Sequence, residues 1–124
     1  MKDTSSVKPS HLKVGEQGEG IASSYLQENG YEILERNFRF EKAEIDIIAQ
    51  KGKFLVFVEV KTLTNTQFGM PELAVDKQKE KNISRAALHY IYSQDWKQEI
   101  RFDIIAIVID AGKYQLEHFV DAFH

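Results

Sequence analysis

Three charged residues in the middle of the chain have the types and spacing to hold a metal ion and act beside it. They are Asp46, Glu59 thirteen residues later, and Lys61 two beyond that. Side chains alternate along a strand, so Glu59 and Lys61 share one face with Leu55 and Phe57. A two-residue turn at Lys51-Gly52 pairs Gln50 with Lys53, Asp46 with Phe57 and Glu44 with Glu59. In that register Asp46 is the diagonal neighbour of Glu59 on the same face, about 7–8 Å away at Cα. A bulge, common beside active sites, would shift this count by one. One divalent ion, with oxygen ligands at about 2.0–2.1 Å, is within reach of both carboxylates. Two acids forced together on an apolar sheet repel unless something positive lies between them, and a metal ion and Lys61 are the candidates. An isolated Glu-x-Lys on a strand is an ordinary solvent-side pair. Here Ile45, Ile47, Ile48, Phe54, Val56, Phe57 and Val58 embed the charges in core strands, where charge is costly unless paired or metal-bound.

The elements that must position these residues follow from periodicity and punctuation. Gly15, Gly18 and Ala22 recur at three and four residues, with Ile21, Tyr25 and Leu26 as bulk, which predicts a helix over Val14–Asn29. Its glycines cost helix propensity, so a close packing contact is expected in return. Asn29-Gly30 closes it as a C-cap pair. Strands are expected at Tyr31–Phe40, Glu44–Gln50 and Phe54–Thr62, then a polar loop over Leu63–Gly69 that Pro71 helps to end. A second helix starts near an Asp76 N-cap and runs to about Tyr92, burying Ile83, Ala86, Ala87, Tyr90 and Ile91. Ile100–Ile109 is almost continuously apolar, as a strand covered on both faces would be, and Tyr114–Phe123 alternates as a last strand. The class is α/β: a mixed β-sheet flanked by helices, in the order α-β-β-β-α-β-β. Residues 1–13, polar and carrying Pro9, read as a flexible leader before a single domain over residues 14–124.

Composition narrows the function classes. The chain has 124 residues, 43% of them hydrophobic, which is enough for one core and argues against disorder. The absence of cysteine excludes a disulfide scaffold, a Cys-ligated zinc site and a thiol nucleophile together. No apolar run approaches the roughly 18–20 residues of a membrane helix, and the polar first residues form no secretory signal. A soluble cytoplasmic protein without a membrane partner is the expectation. A net charge of −3 argues against a protein that coats nucleic acid nonspecifically, but not against local positive charge around an acidic centre. Lys77, Lys79, Lys81 and Arg85 against Glu80 give residues 77–85 a local charge of +3, and Arg36, Arg39 and Lys42 cluster beside the site hairpin. The histidines have no metal-ligand spacing, and His118 is expected to be structural.

Glu44-Ile-Asp46 followed by Glu59-Val-Lys61 resembles the PD-(D/E)xK nuclease superfamily with its restriction-endonuclease-like core. More closely, the chain resembles the small uncharacterised bacterial YraN-like family, related to archaeal Holliday-junction resolvases. The likeness runs from about Gly15 to Phe123. It includes Gly15-x-x-Gly18-Glu19-x-x-Ala22, Asn37-Phe-Arg39, Phe57-Val-Glu59-Val-Lys61-Thr62, Phe68-Gly69, Lys77-Gln78 and Arg101-Phe-Asp103. Ala43 stands where the family usually has glycine before Glu44, a tolerated backbone change. Leu63 stands where arginine commonly follows the Lys-Thr, which removes a phosphate contact.

The resemblance implies a restriction-endonuclease-like domain and a Mg²⁺- or Mn²⁺-dependent endonuclease acting on DNA, branched or flapped forms included. By it, Asp46, Glu59 and the carbonyl of Val60 are metal ligands, Lys61 is catalytic, and Glu19 completes the carboxylate set. A free lysine titrates near about 10.4, so Lys61 is assigned an electrostatic role rather than that of a base. Arg39, Lys77, Gln78, Lys81 and Arg85 are the expected nucleic-acid contacts, and a homodimer is expected if junctions are cut. Two alternatives stay open: a nucleic-acid-binding module without turnover, and a protein-interaction domain whose acids bind a structural ion.

Overall fold

Among the described residues seven elements form in the order α-β-β-β-α-β-β, as the hydrophobic pattern predicts. They are α1 (Ser10–Glu28), β1 (Glu32–Phe40), β2 (Ala43–Lys51), β3 (Phe54–Leu63), α2 (Lys77–Ser93), β4 (Glu99–Asp110) and β5 (Lys113–Phe119). The structure, a computed structural model, describes residues 10–64 and 77–122. The Asp76 cap, Phe68-Gly69, Pro71 and Phe123 therefore lie outside the described residues, as does the expected leader up to Pro9. The expected helix start at Val14 is moved back to Ser10, because nothing between Pro9 and Gly15 breaks a helix.

The five strands form one sheet in the order β1-β2-β3-β4-β5. All neighbours are antiparallel except β3 and β4, which run parallel and are joined through α2. The two helices cover opposite faces. Ala22 and Leu26 of α1 pack on Ile47, Ala49, Val56, Val58, Ile105, Ile107 and Ile109. Ile83, Ala86, Ala87 and Tyr90 of α2 pack on Ala43, Ile45, Ile48, Leu55 and Phe57, with Ile91 only partly buried. This two-sided cover is why β2 and β4 read as nearly unbroken apolar runs.

The helix ends are satisfied locally. The Tyr31 amide donates to the Leu26 carbonyl at 2.9 Å and the Gly30 amide to Gln27 at 3.2 Å, with Gly30 at φ 87°. That pairing is a Schellman motif, so the Asn29-Gly30 cap forms as expected. At the other end of the sheet β5 stops at Phe119 rather than continuing towards Phe123. Asp121 turns into the left-handed region at φ 56°, and its amide is taken by the Asp103 carboxylate at 3.0 Å, which pulls the chain out of the strand.

Asp103 anchors a polar cluster under α1. It accepts two hydrogen bonds from Arg101, both at 2.9 Å, and lies 2.7 Å from His118, whose other ring nitrogen meets the Tyr25 hydroxyl at 3.0 Å. Burial pushes the Asp103 carboxyl up, but the His118, Arg101 and Asp121 hydrogen bonds outweigh it and hold it below its usual range. His118 is structural, as expected, tying β5 to β4 and α1.

Candidate functional site

The hairpin β2–β3 differs from the sequence register by two residues. Lys51 pairs with Phe54 and Ile48 with Phe57, so Gly52 and Lys53 are the turn. Gly52 has φ 57° and occupies the first central position, which a type II′ turn gives to glycine. Glu44 is consequently not opposite Glu59; the pairing runs as far as Ile47 and Val58, the residues next to Asp46 and Glu59. A shift of two keeps every side chain on its face, because strand periodicity is two.

The ladder between β2 and β3 ends at Ile47 and Val58. Beyond it, the alternation of β2 breaks at Asp46: Ile45 packs on the α2 side and Ile47, two residues on, packs on the α1 side. The facing strand is distorted at the same level, with Asn37 of β1 at φ 55° between the pairs Arg36–Ile47 and Phe38–Ile45. Asparagine tolerates that backbone better than most residues. Where a ladder bond would lie, the Val60 amide donates to the Asp46 carboxylate at 2.7 Å. Both backbone groups of a strand residue face the same neighbour, so the Val60 carbonyl is on the Asp46 side as well.

Glu59 continues the face of Leu55 and Phe57 and so points towards α2. Asp46 and Glu59 then line one concavity of about 570 Å³ with Lys42, Ala43, Glu44, Val60, and Gln78, Lys79, Asn82 and Ile83 of α2. Asp46 is only 8% exposed. Burial first, and the Glu59 charge second, push its carboxyl up to about 8, against the lowering effect of the Val60 amide. Burial and the neighbouring charge thus favour the protonated form of Asp46. Among the described residues no three His, Cys, Asp or Glu side chains gather as a metal cage. The oxygen set at this point is two carboxylates and one carbonyl.

Other expected residues are placed differently. Glu19 lies beyond Val60, in a second concavity with Val14, Gly15, Val60, Thr62, Leu63 and Thr64. Burial raises its carboxyl, opposed by a hydrogen bond with Asn37 and by Arg36, whose guanidinium is 3.9 Å away. Its charge still reaches Asp46 and helps to raise it. Lys61, on the Glu59 face two residues on, is partly buried and does not line the Asp46–Glu59 concavity. Of the expected nucleic-acid contacts, Gln78 lines the concavity and bonds Asn82 at 3.1 Å. Lys77 and Lys81 are exposed on α2. Arg85 pairs with Glu41 at 2.9 Å and Arg39 with Glu44 at 2.9 Å.

Lys79, which the sequence places only in the basic cluster of α2, has its ammonium 3.3 Å from Glu59. The signal was present. Lys79 sits one helical turn before the stripe Ile83, Ala86, Ala87 and Tyr90, so it has to point at the sheet. Asn37 stands in the sequence only as part of a motif, and its positive φ appears only in the structure.

The profile of the family described as Uncharacterised protein family UPF0102 matches residues 18–107. A UPF0102 protein of Flavobacterium psychrophilum is 46% identical over 114 residues, covering 92% of this chain and 96% of that protein. A UPF0102 protein of Geotalea daltonii is 48% identical over 118 residues, covering 94% and 93%. A UPF0102 protein of Thermodesulfovibrio yellowstonii is 42% identical, covering 90% of this chain and 96% of its own length.

Proposed function

This chain belongs to Uncharacterised protein family UPF0102, whose description assigns no activity, and from its site we propose a metal-dependent nuclease that hydrolyses phosphodiester bonds in DNA. The observation that carries the reading is the Asp46–Glu59 pair. Two carboxylates share a concavity, and one is buried deeply enough to keep a proton near neutral pH. Nothing in core packing rewards that arrangement, whereas a cation would relieve it. The donors are all oxygen: Asp46, Glu59 and the Val60 carbonyl. They fit Mg²⁺ or Mn²⁺, ions of a kind that keep several waters and take one or two carboxylates together with substrate phosphates. Bound there, such an ion supplies a lowered pKa to a coordinated water and polarises a phosphoryl oxygen.

The chain's own residues supply the rest. The Val60 amide fixes the Asp46 carboxylate, so that ligand is held before anything binds. Lys61 is a donor only, and in this reading its ammonium orients water and offsets charge developing on the phosphate. Glu19, held by Arg36 and Asn37, adds negative charge from the far side of Val60. Gln78, Lys77, Lys81, Arg85 and Arg39 take the backbone of the nucleic acid. Cutting both strands of a branched substrate takes two such sites, so a dimer goes with junction cleavage.

A second reading has its own support. The net charge is −3, and Arg36, Arg39, Lys79 and Arg85 are each paired with a glutamate, as in a domain that binds protein rather than DNA. A cleavage screen with Mg²⁺ and Mn²⁺ over duplex, single-stranded, flap and four-way DNA separates the two. Cleavage by the wild type that falls about 10²–10³-fold in Lys61→Ala, with metal affinity retained, is the expected result. Asp46→Asn and Glu59→Gln should instead weaken metal binding itself. Lys61→Ala cleaving as well as wild type overturns the role of Lys61. Binding without cleavage marks a binding module, and neither marks the interaction domain.

A further inference from the structure

Lys79 occupies an unusual place for a helix lysine. Its Nζ lies 3.3 Å from Glu59 Oε1; the Glu59 side chain is 11% exposed, the Lys79 side chain 50%. The ammonium thus reaches in from solvent to a nearly buried acid, at the carboxylate that the proposed function gives to a metal. We propose that Lys79 is a displaceable counter-ion: it neutralises Glu59 in the metal-free protein and passes to a phosphate of the nucleic acid when a divalent cation takes that carboxylate. This rests on the metal-site reading above.

The exchange follows from charge and reach. An ammonium donates hydrogen bonds and cannot ligate a metal, so Lys79 and a divalent cation compete for Glu59 and repel each other. The lysine has the weaker hold, because a half-exposed ion pair gains little over water and carries one charge against two. Its long flexible stem lets the head leave without moving α2. Once released, it remains on a wall of that concavity with the amides of Gln78 and Asn82. A phosphate is the anion that a substrate brings there. Metal and nucleic acid then bind with positive coupling, part of it carried by one side chain.

The coupling makes opposite predictions for one substitution. Lys79→Ala removes the competitor, so Mn²⁺ alone, titrated into the full chain by calorimetry, should bind about 5–10-fold tighter than to wild type. The same substitution should lose a similar factor of the Mn²⁺-induced gain in affinity for a labelled four-way DNA. That gain is measured in a Lys61→Ala background to prevent cleavage, and Lys79→Arg should restore part of it. Alanine suits a helix surface, and circular dichroism checks that α2 is kept. Mn²⁺ affinity unchanged or weakened in Lys79→Ala, or an undiminished gain in DNA affinity, overturns the proposal while leaving the metal site standing. A wild type that binds no Mn²⁺, or whose Mn²⁺ binding survives Asp46→Asn and Glu59→Gln together, overturns the metal-site reading and this one with it.

Discussion

Among the described residues two aspartates are buried, and they should respond to substitution with opposite signs. Asp103 is 1% exposed and surrounded by donors: Arg101, His118 and the Asp121 amide. Asp103→Ala leaves Arg101 and His118 facing a void and should cost about 3–5 kcal/mol, as breaking a buried ion pair does. Asp46 is surrounded by carboxylates, with one amide in its favour. Asp46→Asn keeps an acceptor for Val60, offers a donor to Glu59 and cannot ionise as the pH rises, so the metal-free protein should melt no lower than wild type. The pH dependence has opposite signs too. Asp103 has a folded pKa below its unfolded value, so its contribution is present above about pH 4 and is lost as the pH falls further. Asp46 has a folded pKa raised to about 8, so its contribution is full below about pH 4 and is lost as pH rises through 8. Thermal melts in chelator at pH 5 and pH 8 check this: Asp46→Asn should gain on wild type as the pH rises. Parallel profiles would mean that Asp46 carries no extra proton.

Among the elements, α1 is placed by a single glycine. A Cβ on Gly18 would collide with the Thr62 side chain of β3, while one on Gly15 or Gly20 would meet no atom within 4 Å. The expected close contact is thus real for Gly18 and absent for Gly15. Gly18→Ala should cost about 1–3 kcal/mol through overpacking and push α1, with Glu19, off the end of β3. Gly15→Ala and Gly20→Ala should each stabilise by up to about 1 kcal/mol from helix propensity. Chemical denaturation of the three variants gives the comparison, and a destabilised Gly20→Ala would contradict the open space seen around it. The site strands follow the same logic of close approach. β2 and β3 stop pairing after Ile47 and Val58, and in that gap Asp46 and the Val60 backbone meet.

For the whole molecule, charge is arranged against nonspecific binding. The net charge is −3, and four of the cations around the site and its hairpins are held by Glu19, Glu41, Glu44 and Glu59. If the proposed function holds, affinity for DNA should therefore be modest and strongly salt-dependent, carried by residues such as Lys81 and Arg85 on the exposed side of α2. Lys81→Ala and Arg85→Ala should each lower the slope of log affinity against log salt by about one while leaving stability within about 0.5 kcal/mol. Fluorescence anisotropy at several salt concentrations measures the slope. An unchanged slope in both would place the DNA elsewhere on the molecule. No helix among the described residues is long and apolar enough to cross a membrane.

The β-branched and aromatic residues of Phe54–Thr62, the nearly unbroken apolar run of Ile100–Ile109 and the Asn29-Gly30 cap were sufficient to predict the element order, because residue propensity and turn chemistry are local properties. That Glu59 shares a face with Leu55 and Phe57, and so turns towards a helix, was legible for the same reason. The hairpin register was not, since Gly52 fits either side of a two-residue turn and the choice is made by pairing along the whole ladder. Nor was the break at Asp46, which depends on Asn37 in the facing strand. The separation of Glu19 from the Asp46–Glu59 concavity, and the reach of Lys79 into it, needed both helices docked. Sequence spacing determined which acids share a strand face; only packing across the sheet decided which charges meet, because Coulomb energy depends on distance through space and on burial, and neither is local in the chain.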